Sequence, residues 1–216
     1  MPLQSVQKLN QNTCLGIWDL NEPVTDLTHQ LKNMAPATLV LPAFTSASRQ
    51  QQWLAARLLV YTLLPNFTSE KLLLQSDLLG KPYFEKSNFQ VSISHTTSHV
   101  AVILSNKFEV GIDIESIQPK VLRVKEKFLT AEELNAAGDN LLKIIIYWCT
   151  KETLYKLYGR KQLLLKEHLG VKPFVLADKG TLDACINTQD YKKDLLIYYT
   201  VKEYYVLTYC LDNLKY

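Results

Sequence analysis

The chain has 216 residues, 47% of them apolar and 10% aromatic, with only seven glycines and a formal charge of +3. That length and apolar content suffice to bury a core in one large or two smaller domains, and they exclude a disordered or fibrous chain. The mild positive charge fits an anionic substrate or partner and is too weak for a dedicated nucleic-acid binder.

No apolar run reaches the roughly 18 residues of a spanning helix, and the amino terminus has no charged-then-apolar leader pattern, so a soluble, cytoplasmic protein without a membrane partner is expected. Cys14, Cys149, Cys185 and Cys210 are far apart with no Cys-x-x-Cys pair. They read as reduced, partly buried thiols rather than as zinc ligands.

The first helical signal runs from Trp53 to Leu64. Arg49 and Arg57 lie around Trp53 and project from a similar face, where guanidinium groups suit bidentate phosphate contacts; each also reads as a solvated surface residue. Gly80-Lys81-Pro82 then forms a turn in which glycine lets the backbone approach a ligand and lysine offers a point charge. Two strand-like runs follow, Phe89 to Ser94 and Val100 to Leu104. The first ends in Ser94-His95-Thr96, a set of hydrogen-bonding groups suited to a phosphate. A Ser-His nucleophile pair is not expected, because neighbours on a strand point to opposite faces. His29, His99 and His168 have no companions and read as surface or core residues.

In Gly111-Ile112-Asp113-Ile114-Glu115, apolar and acidic residues alternate, so Ile112 and Ile114 face one side of a strand and Asp113 and Glu115 the other. Two residues along a strand span about 6.6 to 6.8 Å, so both carboxylates can reach one cation, and all-oxygen coordination favours a hard cation such as magnesium. The same alternation also describes a strand with a solvated acidic face.

The stretch from Ser116 to Asn140 is helical and well punctuated. Pro119 suits an early helical position, Thr130-Ala131-Glu132-Glu133 reads as a capping box, and Gly138 ends that short helix. Asp139 or Asn140 caps the next one, which runs through Trp148 and Glu152 to a terminator at Gly159. Glu152 and Lys156 sit four apart on that helix. They read either as an ordinary ion pair worth about 0.2 to 0.5 kcal/mol, or as a third metal ligand or base beside a phosphate clamp.

One internal echo spans the chain. Leu72-Leu73-Leu74, Leu78, Lys81-Pro82 and Tyr83 recur 91 positions later as Leu163-Leu164-Leu165, Leu169, Lys172-Pro173 and Phe174. A tryptophan-bearing helical segment precedes each copy, and a pair of strand-like runs follows it, the second pair being Leu195 to Thr200 and Tyr204 to Tyr209. The expectation is an α+β fold of two similar half-domains, residues 1–115 and 116–216. Each would be a small, mostly antiparallel sheet packed with helices, with a ligand cleft between them.

Taken in order, Gly80-Lys81-Pro82, Ser94-His95, Gly111 through Glu115, Phe128 through Glu133, and Trp148-x-x-Lys151-Glu152-x-x-x-Lys156 resemble the 4′-phosphopantetheinyl transferase superfamily in its Sfp-like, pseudo-dimeric form. The resemblance spans residues 49 to 158 by motif, and the echo extends it to nearly the whole chain. It implies coenzyme A bound between two similar halves. It also implies a reaction: the 4′-phosphopantetheine arm of coenzyme A moves to a serine of an apo acyl or peptidyl carrier protein, releasing 3′,5′-ADP.

The enzyme so implied is a magnesium-dependent holo-[acyl-carrier-protein] synthase, expected as a monomer. Carried over by position, Asp113, Glu115 and Glu152 hold magnesium against the pyrophosphate, and Asp113, Glu152 and Lys156 form the catalytic set. Lys156 stabilises the leaving phosphate oxygen, and Glu152 relays the serine proton, directly or through water. Arg49, Arg57, Lys81, Ser94, His95 and Lys156 contact coenzyme A. Glu133 matches an acidic position of the family pattern, but its capping role accounts for it. Thr96 stands where many relatives have a second serine, and the amino-terminal basic positions align poorly.

Carrier proteins of this class are acidic, so Lys120, Arg123, Lys125 and Lys127, with apolar neighbours such as Leu122 and Phe128, are expected to help dock one. Two other functions use the same groups. A magnesium-dependent phosphohydrolase or nuclease would need water as nucleophile and no carrier, and a non-catalytic module would bind coenzyme A or a carrier without turnover.

Overall fold

Long apolar helices laid on antiparallel strands organise the computed structural model, which describes residues 2–159 and 163–213. The chain divides into two compact units, one running up to Val110 and the other from Gly111 to Asp212.

The first unit contains β1 (Leu3–Asn10), β2 (Thr13–Asp19), α1 (Val24–Met34), α2 (Ala47–Leu63), β3 (Leu74–Ser76), β4 (Pro82–Phe84), β5 (Gln90–His95) and β6 (His99–Ser105). Four strands form a sheet in the order β1-β2-β6-β5 with antiparallel registers, and β3 and β4 pair separately. Every residue of β6 is buried, as a central strand requires. Leu54, Leu58, Leu59 and Leu63 of α2 close the core with Leu27 and Leu31 of α1.

The helix expected from Trp53 starts six residues earlier, at Ala47, because the Ser46 side chain accepts the Arg49 backbone N–H at 3.2 Å and caps it. Arg49 therefore sits in the first turn of α2. The two strand runs expected here are β5 and β6, whereas β1 and β2 were not anticipated: β1 is an edge strand with five successive exposed residues and no inward-outward alternation.

The second unit follows through β7 (Phe108–Ser116), whose first residues precede the division. A 3-10 turn at Pro119–Val124 leads to α3 (Lys125–Phe128), α4 (Ala131–Ala137), α5 (Leu141–Tyr158), α6 (Leu165–His168), β8 (Leu169–Val171), β9 (Lys179–Asn187), β10 (Lys192–Val201) and β11 (Tyr205–Asn213). The five strands run in the order β7-β11-β10-β9-β8. Helix α5 is apolar on most of its surface, and Ile144, Ile145, Tyr147, Leu154 and Leu157 pack with Ile197 and Val206 of the sheet.

Each unit is thus an antiparallel sheet packed with helices, the α+β class expected from the sequence. No helix among the described residues is long and apolar enough to cross a membrane.

The punctuation read from the sequence is present. Thr130 Oγ1 accepts the Glu133 N–H at 3.2 Å while Glu133 Oε2 accepts the Thr130 N–H at 2.8 Å. Asn140 Oδ1 accepts the Lys143 N–H at 3.1 Å, and Gly138 and Gly159 end α4 and α5. The echoed segments, in contrast, take different local forms. Leu74 opens strand β3, and Leu165 opens helix α6. Strand β9 was also not anticipated, because its inward set is only Leu182, Ala184 and Ile186, interleaved with weak strand formers such as Asp183.

Candidate active site

Helix α5 lies directly on β7, and Gly111 makes this possible: a Cβ at that position would lie 2.5 Å from the Thr153 carbonyl oxygen and 3.1 Å from Leu157 Cβ. Trp148, Glu152 and Lys156 follow one another at four-residue steps along a single helix ridge. Two of them reach the acidic strand. Lys156 Nζ donates to Asp113 Oδ1 at 2.7 Å, and Trp148 Nε1 donates to Glu115 Oε1 at 2.8 Å. The later helix residue meets the earlier strand residue, so strand and ridge run in opposite senses, and Glu152 occupies the middle step.

These contacts choose between the readings left open by the sequence. Asp113 is 3% exposed, and Ile112 and Ile114 are buried on the other side, so β7 does not carry a solvated acidic face. Lys156 pairs with Asp113 across the packed elements instead of with Glu152 on its own helix.

Burial, reinforced by the Asp113 and Glu115 charges and opposed by Lys156, pushes the Glu152 carboxyl up to about 7. Burial and the Asp113 charge also raise Glu115, while the Trp148 hydrogen bond and the Lys120 and Lys156 charges pull it back. Three carboxylates that feel one another thus share one ammonium, which leaves an excess of negative charge in a partly desolvated place.

Among the described residues no three histidine, cysteine, aspartate or glutamate side chains close into a ready metal cage. The expected trio is therefore not preassembled, since Asp113 leans on Lys156 and Glu115 on Trp148. The fit to a cation lies in the donor chemistry: carboxylate oxygens only, with surplus negative charge, suit a hard divalent ion.

Lys151, adjacent to Glu152, has a different task. It is fully buried, and its ammonium donates to Phe128 O at 2.7 Å, Glu133 Oε2 at 2.7 Å and Leu165 O at 3.1 Å. Glu133 Oε1 in turn accepts the Val171 N–H at 3.0 Å. Burial lowers the proton affinity of Lys151 and the Glu133 carboxylate restores part of it. This one ammonium ties α5 to α3, α4 and α6 at the turn that carries Glu152. On the sheet side, Thr153 Oγ1 lies 2.6 Å from Thr208 Oγ1, which donates to Cys149 O at 2.9 Å.

Of the basic residues expected to dock a carrier, Lys120, Arg123 and Lys127 are exposed, and Lys125 pairs with Asp139 at 3.0 Å. Phe128, expected beside them, is 1% exposed and belongs to the core. A cavity of about 290 Å³ adjoins the acids, lined by Glu115, Lys120, Val121, Val124, Ile145 and Trp148.

The first unit holds a second constellation. Arg49 and Arg57 of α2, Trp53, Phe44, Gly80 and His95 line a pocket of about 520 Å³. The Arg57 guanidinium lies 4.0 Å from the centroid of the Trp53 ring, and Trp53 meets Phe44 edge-on at 5.6 Å. Arg57 Nε is buried without a hydrogen-bond partner, and burial, only partly opposed by Tyr61, pulls the guanidinium down to about 10. No carboxylate is among the described lining residues. A half-buried guanidinium beside an exposed imidazole, with no acid among the described lining residues, is chemically suited to an anion.

The remaining expected contacts fall elsewhere. Ser94 is 5% exposed, on the opposite side of β5 from His95. Lys81 borders a separate hollow with Asp77, Tyr83 and Gln90. The Thr96 hydroxyl accepts the N–H groups of Ser98 at 3.2 Å and His99 at 3.0 Å, which closes the β5–β6 turn. Two features escaped the sequence reading, the indole bond to Glu115 and the aromatic wall under Arg57. For the first, the spacing of Trp148, Glu152 and Lys156 was the available signal.

All four cysteines are free, as expected. Residues 109–210 match the family model described as the 4′-phosphopantetheinyl transferase superfamily. Comparison with curated proteins finds none that matches.

Proposed function

From the premise that the chain belongs, through residues 109–210, to the 4′-phosphopantetheinyl transferase superfamily, we propose a specific reaction for it. It transfers the 4′-phosphopantetheine arm of coenzyme A to a serine of an apo acyl or peptidyl carrier protein, with magnesium, and releases 3′,5′-ADP. Membership gives the general class, a phosphopantetheine transferase. The finer reading is carried by one observation: a single helix ridge presents Trp148 to Glu115 and Lys156 to Asp113, with Glu152 between them.

The new bond joins the serine oxygen to the phosphorus next to pantetheine. The bond that breaks joins that phosphorus to the bridging oxygen, which departs with 3′,5′-ADP. Asp113, Glu115 and Glu152 would hold magnesium, which supplies charge neutralisation for the pyrophosphate. Lys156 answers the negative charge that develops on the leaving oxygen. Glu152 accepts the serine proton, directly or through a water.

In the first unit, Arg57, Arg49 and His95 take a phosphate of coenzyme A, and the aromatic wall of Trp53 orients the guanidinium. Lys81 adds charge from its own hollow, and Ser94 acts through the strand that places His95.

Mass spectrometry of an apo carrier incubated with this protein, coenzyme A and magnesium tests the proposal. A mass gain of one phosphopantetheine is expected, lost with chelator and with Asp113→Ala. Absence of the gain across several apo carriers overturns it, and 3′,5′-ADP release without any carrier would assign a hydrolase instead.

A further inference from the structure

The proposed reaction gives Trp148 no part, yet its indole is engaged on two sides, by Glu115 and by Phe128. An indole has one polar hydrogen and no acceptor, so at 2.8 Å it fixes Glu115 Oε1 without adding charge. The ring is held from behind. Phe128, 1% exposed, meets it edge-on, with centroids 4.8 Å apart and planes at 71°. Phe128 is anchored in turn, because its carbonyl accepts from the buried Lys151 ammonium at 2.7 Å. A continuous line of contacts from Lys151 through Phe128 to Trp148 ends on one oxygen of one acid.

We infer that Trp148 is a positioning residue that makes Glu115 a one-oxygen ligand and so favours magnesium over calcium at this site. The inference rests on the metal role proposed for Glu115. Calcium accepts a carboxylate through one or both oxygens in a flexible shell, at about 2.3 to 2.6 Å. Magnesium requires a tighter, near-octahedral arrangement and binds through one or two carboxylates while keeping its waters. With one lone pair of Oε1 engaged and its orientation fixed by the indole, Glu115 favours Oε2 as its metal-facing oxygen. Released from the indole, the carboxylate can turn to offer both oxygens equally. Asp113 is treated in parallel by Lys156 at 2.7 Å, so one helix ridge restricts both acids of the strand, with a charged donor at one and a neutral donor at the other.

The test is calorimetric titration with magnesium, manganese and calcium in the absence of coenzyme A, on the wild type, Trp148→Phe and Phe128→Leu. Phenylalanine keeps the edge-on packing and removes the N–H. Leucine keeps the indole and loosens its backing. We expect Trp148→Phe to lose about 10- to 100-fold in magnesium affinity, the usual effect of removing a group that orients a ligand, and its calcium-to-magnesium affinity ratio to rise. Phe128→Leu shifts both in the same direction by less, and it decides the matter if Trp148→Phe does not fold by circular dichroism. Unchanged magnesium affinity and an unchanged ratio in the folded variants overturn the inference and leave the metal role standing. A wild-type protein that binds none of the three ions, like its Asp113→Ala variant, overturns both.

Discussion

Lys151 is fully buried and Arg57 is half-buried with its Nε out of solvent, one in each unit, and their surroundings differ in kind. Lys151 has three oxygens around its ammonium, one of them a carboxylate with no exposure to speak of. Arg57 has an aromatic face beneath it, no acid among the described residues of its pocket and a buried Nε without a partner. A buried charge whose donors are all engaged serves the fold. One left partly unengaged at a pocket wall is available to a ligand, the role proposed for Arg57. The same contrast separates Glu133, which is completely used in capping and pairing, from Glu152, whose proton affinity is raised first by burial and then by the Asp113 charge.

The contrast breaks most visibly if Lys151→Met is tolerated. We expect a loss of about 3 to 5 kcal/mol in urea-unfolding free energy, because Glu133 would be left as an uncompensated buried carboxylate. Arg57→Met should do the reverse. It removes a charge whose burial is uncompensated, so the melting temperature of the ligand-free protein stays or rises. The KM for coenzyme A climbs about 10- to 100-fold, as expected for losing a charged hydrogen bond of about 1.5 to 3 kcal/mol. A stability loss without a KM change would make Arg57 a fold residue.

Glu152 sharpens the comparison through pH. Its folded proton affinity is raised from 4.5 to about 7, so between those values the folded state holds a proton that the unfolded state has released. Stability contributed by this group is complete below pH 4.5 and is lost as pH rises toward 7. Denaturation in chelator at pH 5 and pH 8 should therefore show a fall in the wild type that is smaller in Glu152→Gln. Equal pH dependence in the two proteins would place the proton elsewhere. The smallest effect expected is that of Thr130→Ala, about 1 kcal/mol for one helix cap, read from the same unfolding curves.

Local features were legible in the sequence because their partners are a few residues apart: the Thr130–Glu133 box, the Asn140 cap and the Gly159 terminator all depend on short-range geometry. The acids Asp113, Glu115 and Glu152 were singled out by alternation and motif order. Which donor each one meets was not legible. Helical spacing offered Lys156 to Glu152, and only the packing of α5 on β7 redirects it to Asp113. The spacing of Trp148, Glu152 and Lys156 marked a shared ridge, but the acceptor of the indole was not legible because it stands 33 positions away on another element. Ser46 was missed as a cap because no acidic residue stands three positions later to signal it, and with it went the placement of Arg49 in the first turn of α2.

The absent side chain at Gly111 has a mechanical consequence. The helix that carries Glu152 and Lys156 rests on a strand backbone where a single added carbon would come within 2.5 Å of a helix carbonyl. A methyl there acts as a wedge that lifts the ridge from the strand, lengthening the reach from Lys156 to Asp113 without touching either residue. The tolerance of the whole site is therefore set by a position with no functional group, and Gly111→Ala should yield a folded protein whose Arg57 pocket is intact and whose proposed transfer activity has failed.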